Sequence, residues 1–140
     1  MSSFELKKVA LVVLVAFGAG GSLAETVVNV DTTVESGASV SYGALTINNG
    51  TFTNNGNVDA ESVDVTNGTF VNAGEFFVEQ NFSDSTGRFS NSGSLITVGQ
   101  LTLSGWNTLG GSIEAADSIV LNLTGYDKRV ADGLVLSAPN

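Results

Sequence analysis

Gly50-Thr-Phe-Thr-Asn-Asn-Gly56 is the first of four segments that share one glycine-bounded frame. The other three are Gly68-Thr-Phe-Val-Asn-Ala-Gly74, Gly87-Arg-Phe-Ser-Asn-Ser-Gly93 and Gly105-Trp-Asn-Thr-Leu-Gly-Gly111. Their first glycines are 18, 19 and 18 residues apart. Similarity at a fixed period outweighs any single-residue motif, because it indicates that one structural unit is repeated along the chain.

Apolar residues recur in the same frame outside the glycines. One row lies two residues after each closing glycine, and a second row lies five or six residues later. A third row follows after two more residues and is interrupted by Asp84. The rows contain Val40, Val58, Phe76, Leu95 and Ile113; then Leu45, Val63, Phe82, Leu101 and Ile119; and finally Ile47, Val65, Leu103 and Leu121.

Within each unit, apolar and polar residues alternate, as in Val63-Asp64-Val65, which predicts strands with one buried face. A unit of this length divides into three short strands and three corners. Stacked units would bury a continuous core, with Phe52, Phe70 and Phe89 in one row. We therefore expect an all-β fold, a short right-handed parallel β-helix (β-solenoid) of about 4–5 rungs of 18–19 residues each. An antiparallel sandwich is the alternative, because Asn-Gly between strands also marks hairpins.

A second expected row consists of the asparagines at the fifth position of three frames. Their side-chain amides would form a ladder across the stacked units. The members of this row are Asn54, Asn72 and Asn91.

Residues 1–24 have the pattern of an export signal. Lys7 and Lys8 precede an unbroken apolar run from Val9 to Phe17. Ser22-Leu23-Ala24 places small residues where a signal peptidase reads them, which predicts cleavage after Ala24. A retained membrane helix is the alternative, but it would need about 20 apolar residues.

The remaining chain divides into three parts. Residues 25–39 are expected to form an N-terminal strand or cap, and residues 40–122 the solenoid repeats. Residues 123–140 are expected to form a C-terminal strand, from Val130 to Leu136, and a tail. The two end segments would cover the open ends of the coil.

The charge of the chain limits its partners. The sequence has 5 basic and 14 acidic residues, and loss of Lys7, Lys8 and Glu5 with the signal leaves 3 and 13, a net charge of −10. Nucleic acids and anionic membranes bind through clusters of Lys and Arg, so neither is an expected partner. Histidine and cysteine are both absent from the sequence. That absence removes the usual general base, the usual zinc ligands and any disulfide.

Three groups of residues suggest binding or catalysis, and each has a simpler interpretation. The acidic residues of the repeat suggest calcium, but calcium needs six to eight oxygens from a shaped loop, and outward carboxylates on strands are ordinary. Paired carboxylates also suggest polysaccharide cleavage, but short corners leave little material for a cleft. Thr51 and Thr69 share a row that continues to Arg88 and Trp106, so no flat threonine array is expected. The carboxylates in question are Asp59, Glu61, Asp64, Glu75 and Glu79.

The last frame departs from the others. Asn107 stands where the other frames have Phe, and Leu109 stands where they have Asn. We interpret this unit as a variant rung or part of an upper cap. An exposed Trp106 that contacts a glycan is the alternative. No catalytic, cofactor-binding or metal-binding residue is predicted, and no cofactor.

The Gly-x-Phe-x-Asn-x-Gly frame, followed by an apolar row and a Val-x-Val strand, resembles the haemagglutinin-type repeats of bacterial adhesins and autotransporter passenger domains. The resemblance covers about 80 residues and is carried by the first three frames. It implies a right-handed β-helix displayed at the bacterial surface. These 140 residues include no membrane β-barrel or separate secretion domain of such proteins, so we expect export by another protein, a periplasmic location or a shortened relative.

The sequence therefore predicts an exported structural or adhesive surface protein without catalytic activity, located outside the cell or at its surface, with the periplasm as the alternative. Its expected partner is a surface glycan or a matrix protein. A subunit of a self-assembling fibre, associating end to end, is the second functional class. A polysaccharide-binding or polysaccharide-cleaving module is the third.

Overall fold

The computed structural model describes residues 23–86, 88–105, 107–122, 129–130 and 135–139. These residues contain strands and no helix, and they form a β-solenoid of about 5 turns. All strand pairs among them are parallel. The predicted all-β parallel β-helix is confirmed, and the antiparallel sandwich is wrong.

The strands are numbered in chain order. They are β1 Thr26–Val28, β2 Thr32–Val34, β3 Ser39–Ile47, β4 Thr51–Asn54, β5 Asn57–Val65, β6 Thr69–Asn72, β7 Glu75–Val78, β8 Phe82–Asp84, β9 Phe89–Asn91, β10 Ser94–Thr97, β11 Gln100–Ser104, β12 Thr108–Leu109, β13 Ser112–Ala115, β14 Ser118–Asn122, β15 Arg129–Val130 and β16 Val135–Ser137.

Stacking of these strands produces three faces around one core. The first face contains residues 39–42 of β3, residues 57–60 of β5, and then β7, β10, β13 and β16. The second face contains β2, β4, β6, β9, β12 and β15. The third face contains β1, residues 45–47 of β3, residues 63–65 of β5, and then β8, β11 and β14. We call the β1 end the lower end and the β14 end the upper end.

The expectation of three short strands in every unit is wrong for two rungs, because β3 and β5 each run through a corner without a break. The reason is the spacing between the apolar rows. Two residues separate Ala60 from Val63, but three residues separate their register partners Val78 and Phe82. The additional residue in the later rungs interrupts the strand, which is why β7 and β8 are separate.

Parallel pairing extends beyond residues 40–122 at both ends. At the lower end, β1 pairs with residues 45–47 and β2 pairs with β4 in the same register as the later rungs. At the upper end, β15 pairs with β12 and β16 pairs with β13. Regular stacking therefore begins at Thr26, within the segment expected to be an N-terminal strand or cap.

The predicted phenylalanine row forms the centre of the core. Phe52, Phe70 and Phe89 are each no more than 1% exposed. The ring centroid of Phe70 lies 5.5 Å from each of the other two. Phe76 and Phe82 approach Phe70 edge-on, with centroids 5.0 and 5.4 Å away. Such offset and edge-on contacts add about 0.5–1.5 kcal/mol per pair beyond the burial of apolar area.

The predicted asparagine row forms a hydrogen-bonded ladder inside the solenoid. Asn54 Nδ2 donates to Asn72 Oδ1 at 2.9 Å, and Asn72 Nδ2 donates to Asn91 Oδ1 at 2.8 Å. Each amide also bonds the backbone: Asn72 Nδ2 donates to the carbonyl oxygen of Ser94 at 2.9 Å. The ladder ends at Leu109, so Asn91 Nδ2 donates to the carbonyl oxygen of Gly110 at 2.7 Å instead.

The glycines that close the frames are required because the backbones of successive rungs approach each other closely at this corner. A methyl group at Gly74 would overlap the carbonyl oxygen of Gly56, and one at Gly93 would overlap the carbonyl oxygen of Gly74. Gly74 and Gly93 have no positive φ, in contrast to the closing Gly111 at φ 62° and the opening Gly50 at φ 75°. Successive rungs can therefore stack at this corner only because the side chain is absent.

Asp84 occupies an inward position of the third row, in register with Val65 and Leu103, and is 0% exposed. Its Oδ1 accepts hydrogen bonds from the backbone N–H of Thr86 at 2.9 Å and from Thr86 Oγ1 at 2.7 Å. The residue that interrupts the apolar row thus shapes the corner that follows β8.

Replacing Phe70 by Ala should lower the free energy of unfolding by about 3–5 kcal/mol, because it removes a fully buried ring at the middle of the stack. Urea denaturation followed by circular dichroism measures this change. Thr69→Ala, at an outward position of the same strand, is the control and should change stability by less than about 0.5 kcal/mol. A loss below about 1 kcal/mol for Phe70→Ala would contradict the buried stack.

Substitutions at Asn72 distinguish the contribution of the ladder's hydrogen bonds to stability from that of simple packing. Asn72→Ala leaves Asn91 Oδ1 and the Ser94 carbonyl without their donor, at about 1–3 kcal/mol for each buried group left unsatisfied. Asn72→Asp should destabilise more at neutral pH, because a carboxylate cannot donate, and should recover part of the loss as acidification restores a proton. Exposed Asn55→Asp is the control for added charge. Equal pH dependence of the two Asp variants would contradict the ladder.

Candidate binding surface

On the first face, two large apolar side chains point outward on adjacent rungs in the middle of the stack. The described residues contain no other such pair. Phe77 and Ile96 are register partners on β7 and β10. Phe77 is half-buried and Ile96 is 39% exposed. The same row continues to Asp59 one rung below Phe77 and to Glu114 one rung above Ile96. An apolar step is therefore flanked by a carboxylate at each end.

A shallow groove of about 390 Å³ lies along this row. Its polar side is formed by the neighbouring outward row, which contains Asn57, Glu75 and Ser94. None of the described residues on the first face is basic. The groove thus combines an apolar floor with hydrogen-bonding groups and negative charge, which suits a ligand that has cationic and apolar groups.

The outward position of Phe77 has a signal in the sequence, although the period of the repeat does not reveal it. Phe76 and Phe77 are consecutive in a strand, and successive side chains point to opposite faces. Since Phe76 belongs to the core row, Phe77 must point outward. Phe82 is the inward residue of the next strand, so it does not share this exposure.

The second face is polar and contains the threonine rows. Thr51 and Thr69 are register partners, as are Thr33 and Thr53. The second of these rows continues as Val71 and Ser90, and is therefore not a uniform threonine array. Of the two basic residues in the described part of the chain, Arg88 directly precedes β9 and Arg129 belongs to β15, so both are associated with this face.

The third face and the corner that leads to it have polar side chains that are hydrogen-bonded between rungs. Gln80 Nε2 donates to Glu61 Oε1 at 3.0 Å, and Gln100 Nε2 donates to Ser118 Oγ at 3.0 Å. Its outward carboxylate, Asp64, is exposed and belongs to the same strand as Asp59. These two pairs join successive rungs at and beside the corner between the first and third faces.

The carboxylates considered for calcium are distributed over different faces. Asp59 and Glu75 point outward on the first face, Asp64 on the third, and Glu61 lies at the corner between the two faces. No group of three or more Asp, Glu, His or Cys residues in the described part of the chain could hold a metal ion. The glycan alternative at Trp106 lies outside the described residues, as do residues 1–22 of the signal predicted over residues 1–24.

The two ends of the solenoid form a second kind of exposed surface. At the lower end, Val27 is 48% and Val30 is 62% exposed, beside a depression of about 200 Å³ that Tyr42 also lines. At the upper end, Leu121 is 37%, Val135 56% and Leu136 43% exposed. Both ends therefore present apolar side chains next to strand edges.

The comparisons with known proteins give no further identification: no family model, curated protein or solved structure matches this chain. Within the described ranges, the fold contains no helix of the length and apolar character needed to cross a membrane. The side groove and the two apolar ends are therefore the features from which a function can be inferred.

Tyr42 makes the stability of the lower end depend on pH in the alkaline range. Burial raises the pKa of its hydroxyl above the ordinary value of 10.0. Above pH 10.0 the folded state therefore keeps the Tyr42 proton while the unfolded state loses it. The protonated Tyr42 thus contributes its full share of stability below pH 10.0, and this share is lost as the pH rises toward the higher pKa of the folded state. Tyr42→Phe should reduce the loss of stability between about pH 9 and pH 11, measured by urea denaturation. An unchanged alkaline loss in Tyr42→Phe would contradict this role.

Proposed function

We propose that this protein is an exported structural or adhesive protein without catalytic activity that binds a macromolecule along the side of its solenoid. The observation that carries the proposal is the outward step formed by Phe77 and Ile96. Outward positions on the other two faces are mainly polar: Val71 is their apolar member at mid-stack, and Val27 and Val120 stand at the two ends of the third-face row. Exposing a Phe and an Ile to water on adjacent rungs is unfavourable for an isolated molecule and is typical of interaction sites.

The rigidity of the fold supports this role. Outward side chains are held in register by parallel pairing on every rung, so a surface assembled from several rungs is preorganised. The acidic surface opposes binding to nucleic acids and anionic lipids. The resemblance of the repeat to bacterial surface adhesins agrees with both points.

Export is tested by the amino terminus of the secreted protein. When the full sequence is expressed in a Gram-negative host, the chain recovered outside the cytoplasm should begin at Glu25, because signal peptidase cleaves after a small residue preceded two positions earlier by another. Peptide sequencing by mass spectrometry measures the terminus. Ala24→Pro, which should block cleavage, is the control. Recovery of Met1 on a membrane-bound chain would contradict export by this signal.

Adhesion is tested by binding of the exported chain to immobilised matrix proteins and to neutral and acidic polysaccharides. The double variant Phe77→Thr/Ile96→Thr should lose most of the binding, since it replaces the apolar step but keeps β-branched or strand-compatible residues. Val71→Thr on the second face is the matched control. Retained binding in the double variant, or no binding to any probe, would contradict the proposal, and release of sugar products would indicate an enzyme instead.

A fibre subunit is the second candidate, and exposed apolar residues at both ends favour it. Val30 at the lower end and Val135 at the upper end adjoin strand edges that can pair with another chain. Contacts between opposite ends do not close, so they produce filaments. Light scattering and negative-stain microscopy at low and physiological salt should then show concentration-dependent growth. A monodisperse monomer at high concentration under both conditions would exclude this candidate.

A further inference from the structure

The groove on the first face has a charge pattern that specifies its partner more closely than the adhesive role does. The outward row along it runs parallel to the solenoid axis in the order Asp59, Phe77, Ile96, Glu114, one residue per rung. The first three residues line the groove, and Glu114 continues the row one rung above it. Asp59 and Glu114 are both exposed, and the apolar step lies between them. Neighbouring strands are about 4.8 Å apart, so the backbone positions of Asp59 and Glu114, three rungs apart, are separated by about 14 Å along the axis.

An extended peptide has the same spacing. Its residues advance about 3.3–3.4 Å each, so side chains at positions i and i+4 are about 13–14 Å apart and point to the same side as the side chain at i+2. Two basic side chains at the outer positions would therefore reach the two carboxylates. An apolar side chain at the middle position would lie on Phe77 and Ile96.

The charges of the face determine which class of partner can use this spacing. None of the described residues on the first face is basic, and Glu75 adds a third carboxylate beside the apolar step. The whole chain carries a net charge of −9. An anionic polysaccharide would be repelled, whereas a basic segment would be attracted over several ångströms and oriented by the paired charges.

A neutral glycan is less well matched than a basic segment. Sugar recognition on an aromatic ring needs an open ring face, but Phe77 is half-buried and is followed on the next rung by Ile96. The apolar step is therefore partly aliphatic, and it ends at carboxylates rather than at further aromatic rings. This arrangement fits alternating apolar and cationic side chains.

We propose that the groove binds an extended segment of a partner protein in which two basic residues stand four positions apart with an apolar residue midway between them. The segment lies along the solenoid axis and crosses the rungs from Asp59 to Glu114. The inference depends on the proposed adhesive function and names its partner class, a basic protein rather than a glycan.

The experiment is an NMR titration of the isotope-labelled exported chain with short capped peptides, since a five-residue segment is expected to bind weakly. The matching peptide is Lys-Ser-Leu-Ser-Lys. Its isomer Lys-Lys-Leu-Ser-Ser has the same composition and charge but the wrong spacing, and Glu-Ser-Leu-Ser-Glu reverses the charge. Amide shifts from the matching peptide should cluster on the first face, and its affinity should exceed that of the isomer by about threefold or more.

Two double variants of equal net charge distinguish specific binding at the groove from general electrostatic attraction. Asp59→Asn/Glu114→Gln should weaken binding of the matching peptide about five- to tenfold. Asp64→Asn/Asp117→Asn removes two exposed carboxylates elsewhere, one of them on the same strand as Asp59, and should change binding less than about twofold. Ile96→Thr should weaken binding without changing its dependence on salt, since it removes only apolar contact.

Several results would overturn the inference. Equal binding of the two isomeric peptides, or equal loss in the two double variants, would show that only overall charge is sensed. Binding of a neutral oligosaccharide at Phe77 without binding of any peptide would make the groove a glycan site and would leave the adhesive function standing. Absence of binding to every peptide, polysaccharide and matrix protein would instead contradict the proposed function itself.

Discussion

The structure depends on one constraint: each side chain stands on the equivalent side chain of the rung below, at the spacing of adjacent parallel strands. Any inward residue must therefore be compatible with its neighbours above and below. Phe70 meets this requirement by contact with Phe52 and Phe89, and Asn72 meets it by exchanging hydrogen bonds with Asn54 and Asn91. Like residues recur at a fixed period because identical side chains pack or hydrogen-bond well when they are stacked on one another.

The same constraint explains which parts of the structure could be predicted from the sequence. The core rows and the asparagine ladder are visible as a period, because their chemistry repeats. The continuity of β3 and β5 was not predicted, although the spacing of Ala60 and Val63 determines it, since a difference of one residue resembles ordinary variation in a repeat. A strand or cap was expected over residues 25–39, but not that β1 pairs in the register of the later rungs, because the glycine frame begins after this segment.

The candidate surface was not predicted from the sequence, for a different reason. A period identifies positions that repeat, whereas a binding site on a repetitive scaffold consists of positions that differ between rungs. Phe77 and Ile96 share a row with Asp59 and Glu114, so the row has no common chemistry that a search for repeats would detect. The four residues are aligned by their positions directly after the first apolar row, and the register of the strands shows that they stand on successive rungs. In a repeat protein, the scaffold is therefore easier to predict from the sequence than the site that the scaffold presents.

Both internal ladders end within the molecule, and each ends in the opposite kind of residue. The phenylalanine stack is bounded below by Thr32, the register partner of Phe52, and above by Asn107, whose Oδ1 accepts a hydrogen bond from the backbone N–H of Phe89 at 3.1 Å.

The asparagine ladder is bounded below by Val34, the register partner of Asn54, and above by Leu109, the register partner of Asn91. Polar residues thus end the apolar stack, and apolar residues end the polar ladder. The described ends of the solenoid expose strand edges, valines and leucines instead, which give less selective contacts. The residues that differ from rung to rung lie on the side of the solenoid, which is why the proposed binding surface is placed there.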